Sequence, residues 1–141
     1  LKQSAHLKEI QSALQADPDS DKDGMPDLWE TWFFDSPADA TAASDADADG
    51  SPDQDEYVAG TDPVDAQSVF AINGAGMVSG NQVKIRWNSV ADRAYTVQFS
   101  TNLLSGTWMP VIENITAMTS KMAVTSSAST VEGFYRVRVQ Q

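Results

Sequence analysis

Twelve residues from Asp19 to Glu30 and twelve from Asp45 to Glu56 follow one pattern, D-x-D-x-D-G-x-P-D-x-x-E, the second starting 26 residues after the first. The first copy places carboxylates at Asp19, Asp21, Asp23, Asp27 and Glu30, and the second at Asp45, Asp47, Asp49, Asp53 and Glu56. Residues 17–65 hold 16 Asp and Glu against a single base, Lys22, for a net charge of −15. So many like charges resist compaction unless counter-ions sit among them. Calcium takes about six to eight oxygen ligands at about 2.3–2.6 Å, and a twelve-residue loop of this spacing supplies them. Alternate residues wrap the ion, the seventh offers its carbonyl, and a Glu in the following helical turn closes the sphere with both oxygens. Gly24 and Gly50 occupy the sixth place, where the chain turns sharply and a backbone without a Cβ is needed. Asp and Gly are ordinary turn residues, and one D-x-D-G would be weak evidence. Two copies with every carboxylate and the glycine in register predict two bound Ca²⁺ ions.

Beyond the loops the balance reverses, since residues 66–141 carry three acids and six bases, a net of +3. Two Ca²⁺ would bring the acidic segment to about −11, and the basic remainder could dock against it. Nucleic acid is a poor partner for such a chain. The absence of Cys excludes disulfides and thiolate metal sites. His6 is the only histidine and reads as a solvent-facing helix residue, with no second His or Cys to complete a transition-metal site. No apolar run approaches the roughly 20 residues that span a bilayer. The start at Leu1 without Met fits a processed protein or a piece of a longer one. A Cys-free chain stapled by calcium suits an extracellular or cell-surface location, where the ion is abundant.

In chain order, residues 1–16 predict a short amphipathic helix with Leu7, Ile10 and Leu14 on one face, ending at Asp17-Pro18. Each loop predicts a short exit helix, because Pro26 and Pro52 suit a first helical position and acids in the first turn complement the dipole. Leu28, Trp29, Trp32 and Phe33 form an apolar stripe, read as a mini-core between the loops in preference to a sugar-stacking platform. Residues 37–44 read as a small-residue linker, and Gly60 as the cap of the second exit helix. From Ser68 short alternating runs predict strands near Phe70–Ile72, Val83–Trp87, Tyr95–Ser100, Trp108–Ile112, Met122–Thr125 and Phe134–Val139. Turns fall at Ser79–Asn81, Ala91–Arg93, Asn102–Gly106 and Ser126–Ser129. Val83, Ile85 and Trp87 share a buried face, as do Tyr95, Val97 and Phe99, with Thr96, Gln98 and Ser100 on the opposite one. The fold class expected is two-part, a small α/loop calcium-binding repeat region followed by a small antiparallel β-sandwich. Its segments are the helix 1–16, the repeats 17–66 and the β-sandwich 67–141.

The loops resemble bacterial thrombospondin type 3 repeats, which share loop chemistry with dockerins and EF-hands. The stretch from Asp53 to Pro63 is similar to the ending of such repeats in large secreted bacterial proteins, where an immunoglobulin- or fibronectin-like β domain often follows. The resemblance implies calcium ligation by Asp19, Asp21, Asp23, the Met25 carbonyl, Asp27 and Glu30. The second set it implies is Asp45, Asp47, Asp49, the Ser51 carbonyl, Asp53 and Glu56. Asp17, Asp35, Asp39, Asp55, Asp62 and Asp65 read as solvated or capping residues. One departure from paired EF-hands is informative: Pro26 and Pro52 hold the eighth place, where a backbone N–H would bridge two loops. Proline has none to give, so a static calcium clip is expected in place of a sensor.

With one His, no Cys, no G-x-S-x-G and no phosphate loop, only carboxylates remain as catalysts, and calcium claims those. The chain therefore reads as a non-catalytic extracellular structural module: a spacer, anchor or adhesion element of a secreted or surface protein. Two other readings involve protein partners. The charge contrast suits a self-assembling subunit of a filament or surface layer, and the Trp29/Trp32/Phe33 face suits a dockerin-like partner-binding module.

Overall fold

The computed structural model describes residues 17–127 and 132–140. The expected N-terminal helix, with His6, lies outside them. The chain divides into two compact units, one formed by residues up to Tyr57 together with Asp62–Ser68, the other by Val58–Thr61 and the chain from Val69 onward.

The first unit contains the two acidic loops and the helices that leave them. Helix α1 spans Asp27–Phe34 and helix α2 spans Asp53–Ala59. Pro26 stands one place before the position expected of it. It is the N-cap of α1, with extended backbone (φ −71°, ψ 141°), and its carbonyl accepts the N–H groups of Trp29 at 2.9 Å and Glu30 at 3.1 Å. Asp17 accepts the N–H of Leu28 at 2.5 Å and so caps the same helix from eleven residues upstream. Asp35, in left-handed conformation at φ 66°, ends it.

A small aromatic core holds this unit together. Met25, Trp29 and Ala40 are buried, with Phe33, Phe34 and Tyr57 packed around them. The Trp29 ring lies 5.0 Å from Phe33 and 5.5 Å from Tyr57, so the two exit helices meet through it. The expected stripe is therefore split. Trp29 and Phe33, four apart on one helix face, point inward, while Leu28 and Trp32 share the other edge and Trp32 is 76% exposed. The linker contributes Ala40, 2% exposed, to the same core.

The second unit has six antiparallel strands in two three-stranded sheets, ordered β1-β2-β5 and β4-β3-β6. They are β1 (Ile72–Val78), β2 (Gln82–Asn88), β3 (Ala94–Ser100), β4 (Met109–Thr116), β5 (Lys121–Ser127) and β6 (Phe134–Gln140). Val83, Ile85 and Trp87 of β2 and Tyr95 and Val97 of β3 form one core, joined by residues of β4, β5 and β6, so this is a small β-rich domain with a sandwich-like interior. Tyr95 packs on Trp87 and accepts the Val90 N–H at 2.8 Å through its hydroxyl, which satisfies the one polar atom that burial would strand.

Four local expectations need correction. The first strand lies at Ile72–Val78, beyond Phe70, where the chain pairs with β2 from Ile72 opposite Trp87 to Val78 opposite Gln82 and Asn73 donates to the Asn88 side chain at 2.8 Å; Phe70 packs on Tyr95 from outside the strand. Strand β4 begins at Met109, after Trp108, whose ring instead lies 4.2 Å beneath the Arg136 guanidinium. Ser126 and Ser127 continue β5, paired with Val83 and Gln82, in place of the turn expected there. Thr96 and Ser100, expected on an open face, are 5% and 4% exposed. Strand β3 is central in its sheet and long polar side chains of β6 lie over it: Gln140 donates to the Thr96 hydroxyl and Arg136 to the Gln98 side-chain Oε1, both at 2.7 Å. No helix among the described residues is long and apolar enough to cross a membrane.

Candidate metal sites

The two acidic loops adopt matching backbones. At the fourth place Lys22 and Ala48 have φ of 65° and 60°, and at the sixth Gly24 and Gly50 have φ of 97° and 98°. These left-handed residues curl each loop back on itself. The curl is pinned by side chains accepting backbone N–H groups. Asp19 accepts from Gly24 at 3.1 Å and Asp45 from Gly50 at 3.0 Å. Asp23 accepts from Met25 at 2.9 Å and Asp49 from Ser51 at 2.7 Å. Each loop is then closed by backbone: the N–H of Asp27 donates to the Pro18 carbonyl at 2.9 Å and that of Asp53 to Ser44 at 2.7 Å.

Asp19 accepts with both oxygens, its second bond coming from the Lys22 N–H at 2.6 Å, and the carboxylates of each loop converge. Asp19, Asp21 and Asp23 each offer one oxygen within 4.8 Å of the others, as do Asp45, Asp47 and Asp49, so each triplet could hold a metal ion. The helices add a buried layer. Glu30 is 0% exposed, and both its oxygens are buried without a hydrogen-bond partner. The same holds for one oxygen each of Asp23, Asp47, Asp49 and Asp53. Glu56, 1% exposed, occupies the matching place on α2.

Stranded carboxylate oxygens are costly, because an ionised group moved out of water needs hydrogen bonds or an opposite charge. Their electrostatics record that cost. Burial, and then the charges of Asp23, Asp21, Asp27 and Asp19, push the Glu30 carboxyl up to about 7. Burial likewise raises Asp53, against the opposing bond from Ala46 N–H, with Asp45 and Asp47 adding to the rise. Asp23 is raised by burial against the bond from Met25, with Asp21 and Asp19 contributing. A divalent cation among these oxygens would supply the missing charge and reverse each of these upward shifts. The donor set is all oxygen, which fits a hard cation and not zinc or copper.

The two loops differ at the ninth place. Asp53 is fully buried and gives one oxygen to the Ala46 N–H at 3.0 Å, leaving the other unpartnered. Asp27 gives both, one to the Ser20 N–H at 2.8 Å and one to its hydroxyl at 2.6 Å, and these two bonds lower its carboxyl. Asp27 thus stands engaged with Ser20 through both of its oxygens. The seventh residues behave differently too: Met25 is a core side chain as well as a loop residue, which its apolar type alone signalled.

One residue outside the pattern matters. Gln54, at the tenth place of the second loop, donates from Nε2 to the Asp23 carbonyl of the first at 2.9 Å. The equivalent residue in the first loop is Leu28, which has no such group to give. Comparison with known proteins finds no matching family model, no matching curated protein and no matching solved structure.

Proposed function

We propose that the first unit is a calcium-stapled structural module of an extracellular or cell-surface protein, and that it has no catalytic role. The reading is carried by one observation: two loops of the same backbone, each gathering a triplet of carboxylates beside buried oxygens that lack a hydrogen-bond partner, those of Asp23 and Glu30 in the first and of Asp47, Asp49 and Asp53 in the second. Each site would take one Ca²⁺, through Asp19, Asp21, Asp23, the Met25 carbonyl and Glu30 in the first and Asp45, Asp47, Asp49, the Ser51 carbonyl, Asp53 and Glu56 in the second. Asp27 would act through Ser20 and water, as ninth-place residues of such loops often do. The likeness of the loops to thrombospondin type 3 repeats supports the same assignment. The ions would add to a core that, among the described residues, consists of Met25, Trp29 and Ala40 with Phe33, Phe34 and Tyr57 packed on them. Thermal melting in calcium and in excess chelator tests the proposal. Chelation is expected to lower the transition substantially, and superimposable curves would overturn it.

A second reading, a self-assembling subunit, is favoured by strand β1. Its seven residues form a sheet edge with no charge and no proline, the kind of edge that pairs with another chain. Sizing in calcium at low and high salt separates the two, because a persistent monomer removes the polymer.

A further inference from the structure

We infer that Gln54 couples the two metal sites, so that filling one raises the affinity of the other. This rests on the calcium reading above and extends it to how the sites communicate. Gln54 sits on α2 between Asp53 and Glu56, two candidate ligands of the second site, yet its amide is spent on the first site. It donates to the peptide carbonyl of Asp23, whose carboxylate belongs to the first triplet. The next residue, Gly24, carries the sharp turn of that loop at φ 97°, and a Cβ there would collide with the Gln54 amide. At Gly50, its counterpart, a Cβ would meet nothing within 4 Å. Gly24 therefore makes room for Gln54 as well as for the turn, and the first loop is shaped around a side chain of the second.

The consequence follows from which parts move together. An ion in the second site draws in Asp53 and Glu56 and so fixes the first turn of α2, which sets the Gln54 amide at the Asp23 carbonyl. With that peptide held, the Asp23 side chain and the Gly24 turn are already placed for the first ion. Linkage makes the effect mutual, since any gain the second ion confers on the first is returned in equal measure. The Trp29–Tyr57 contact, 5.5 Å between ring centroids, joins the same pair of helices through the aromatic core, whereas Gln54 reaches the first loop's backbone directly. Proline at both eighth places removes the backbone bridge by which twin loops could otherwise speak to one another, and Gln54 provides a side-chain route instead. One hydrogen bond of this kind supports a coupling of roughly three- to tenfold in affinity.

The test is calorimetric titration of calcium into the whole chain, in the wild type, in Gln54→Met and in each combined with Glu56→Gln to weaken the second site. Methionine keeps the length, the neutral charge and the helix propensity of Gln54 but cannot donate. In the wild type, two ions are expected to bind with positive cooperativity, and Glu56→Gln to weaken the first site by about three- to tenfold. In the Gln54→Met background two ions still bind, now independently, and Glu56→Gln leaves the first site unchanged. Independent binding in the wild type, or coupling that survives Gln54→Met, overturns the inference while leaving the calcium assignment intact. Absence of calcium binding in the wild type overturns the assignment and the inference with it.

Discussion

Replacing Glu30 by Gln is expected to have opposite effects with and without calcium. In the metal-free protein at alkaline pH, Glu30 is a buried carboxylate with two unpartnered oxygens and four aspartates in its field. Its rise from 4.5 to about 7 corresponds to roughly 3 kcal/mol of destabilisation, at about 1.4 kcal/mol for each tenfold change in proton affinity. Gln removes the charge and keeps the shape, although its amide inherits unsatisfied positions worth about 1–2 kcal/mol. The net gain in chelator is thus about 1–2 kcal/mol, or a transition higher by roughly 5–10 °C in a unit this small. In excess calcium the sign reverses, since each tenfold loss of affinity takes away about 1.4 kcal/mol of linked stability. Paired urea titrations at about pH 8, one in calcium and one in chelator, read both effects. A variant destabilised in both media, or stabilised in both, would refute the assignment of Glu30 as a ligand held in waiting.

Other outcomes follow from the same geometry. Because the Glu30 carboxyl is raised, the metal-free fold binds the extra proton between about 4.5 and 7. Its stability should fall as pH climbs through that window and level off above it, by urea melts in chelator, and Glu30→Gln should flatten the slope. Gly24→Ala and Gly50→Ala each force an L residue to φ near 97°, costing about 1–2 kcal/mol. Gly24→Ala should cost measurably more in calcium melts, since it also displaces Gln54. Trp29→Ala should destabilise the first unit by about 3–5 kcal/mol, whereas Trp32→Ala, at an exposed site, should change it by no more than about 0.5 kcal/mol by the same melts. In the β unit, Tyr95→Phe strands the Val90 N–H and should cost about 1–3 kcal/mol, with no dependence on calcium.

Loop register was legible from the residues alone, because a twelve-place pattern with glycine at its turn leaves the backbone little choice. Places four and six are left-handed in both copies, and the carboxylates of each triplet converge. What eluded the sequence were the departures between the copies. Asp27 and Asp53 are the same residue at the same place, yet Ser20 has a hydroxyl to occupy Asp27 and Ala46 has none for Asp53. Gln54 reads as an unremarkable helix residue until the fold sets it beside Asp23 across 31 positions of chain. The aromatic stripe was visible as a stripe, but which of Trp29 and Trp32 faces inward depends on where Tyr57 and Ala40 arrive. In the β unit, alternation located β2 and β3 well. It failed for β1, whose small exposed residues carry no period, and for Thr96 and Ser100, which a central strand can bury because Gln140 of β6 bonds the first hydroxyl and the Asn102 backbone the second.

The most direct test is a crystal structure of the chain grown with calcium, read for anomalous signal at the two loops. The account predicts one ion in each, about 2.3–2.6 Å from oxygens of Asp19, Asp21, Asp23 and Glu30 in the first and of Asp45, Asp47, Asp49, Asp53 and Glu56 in the second. Ordered loops with only water among those carboxylates, at saturating calcium, would contradict it.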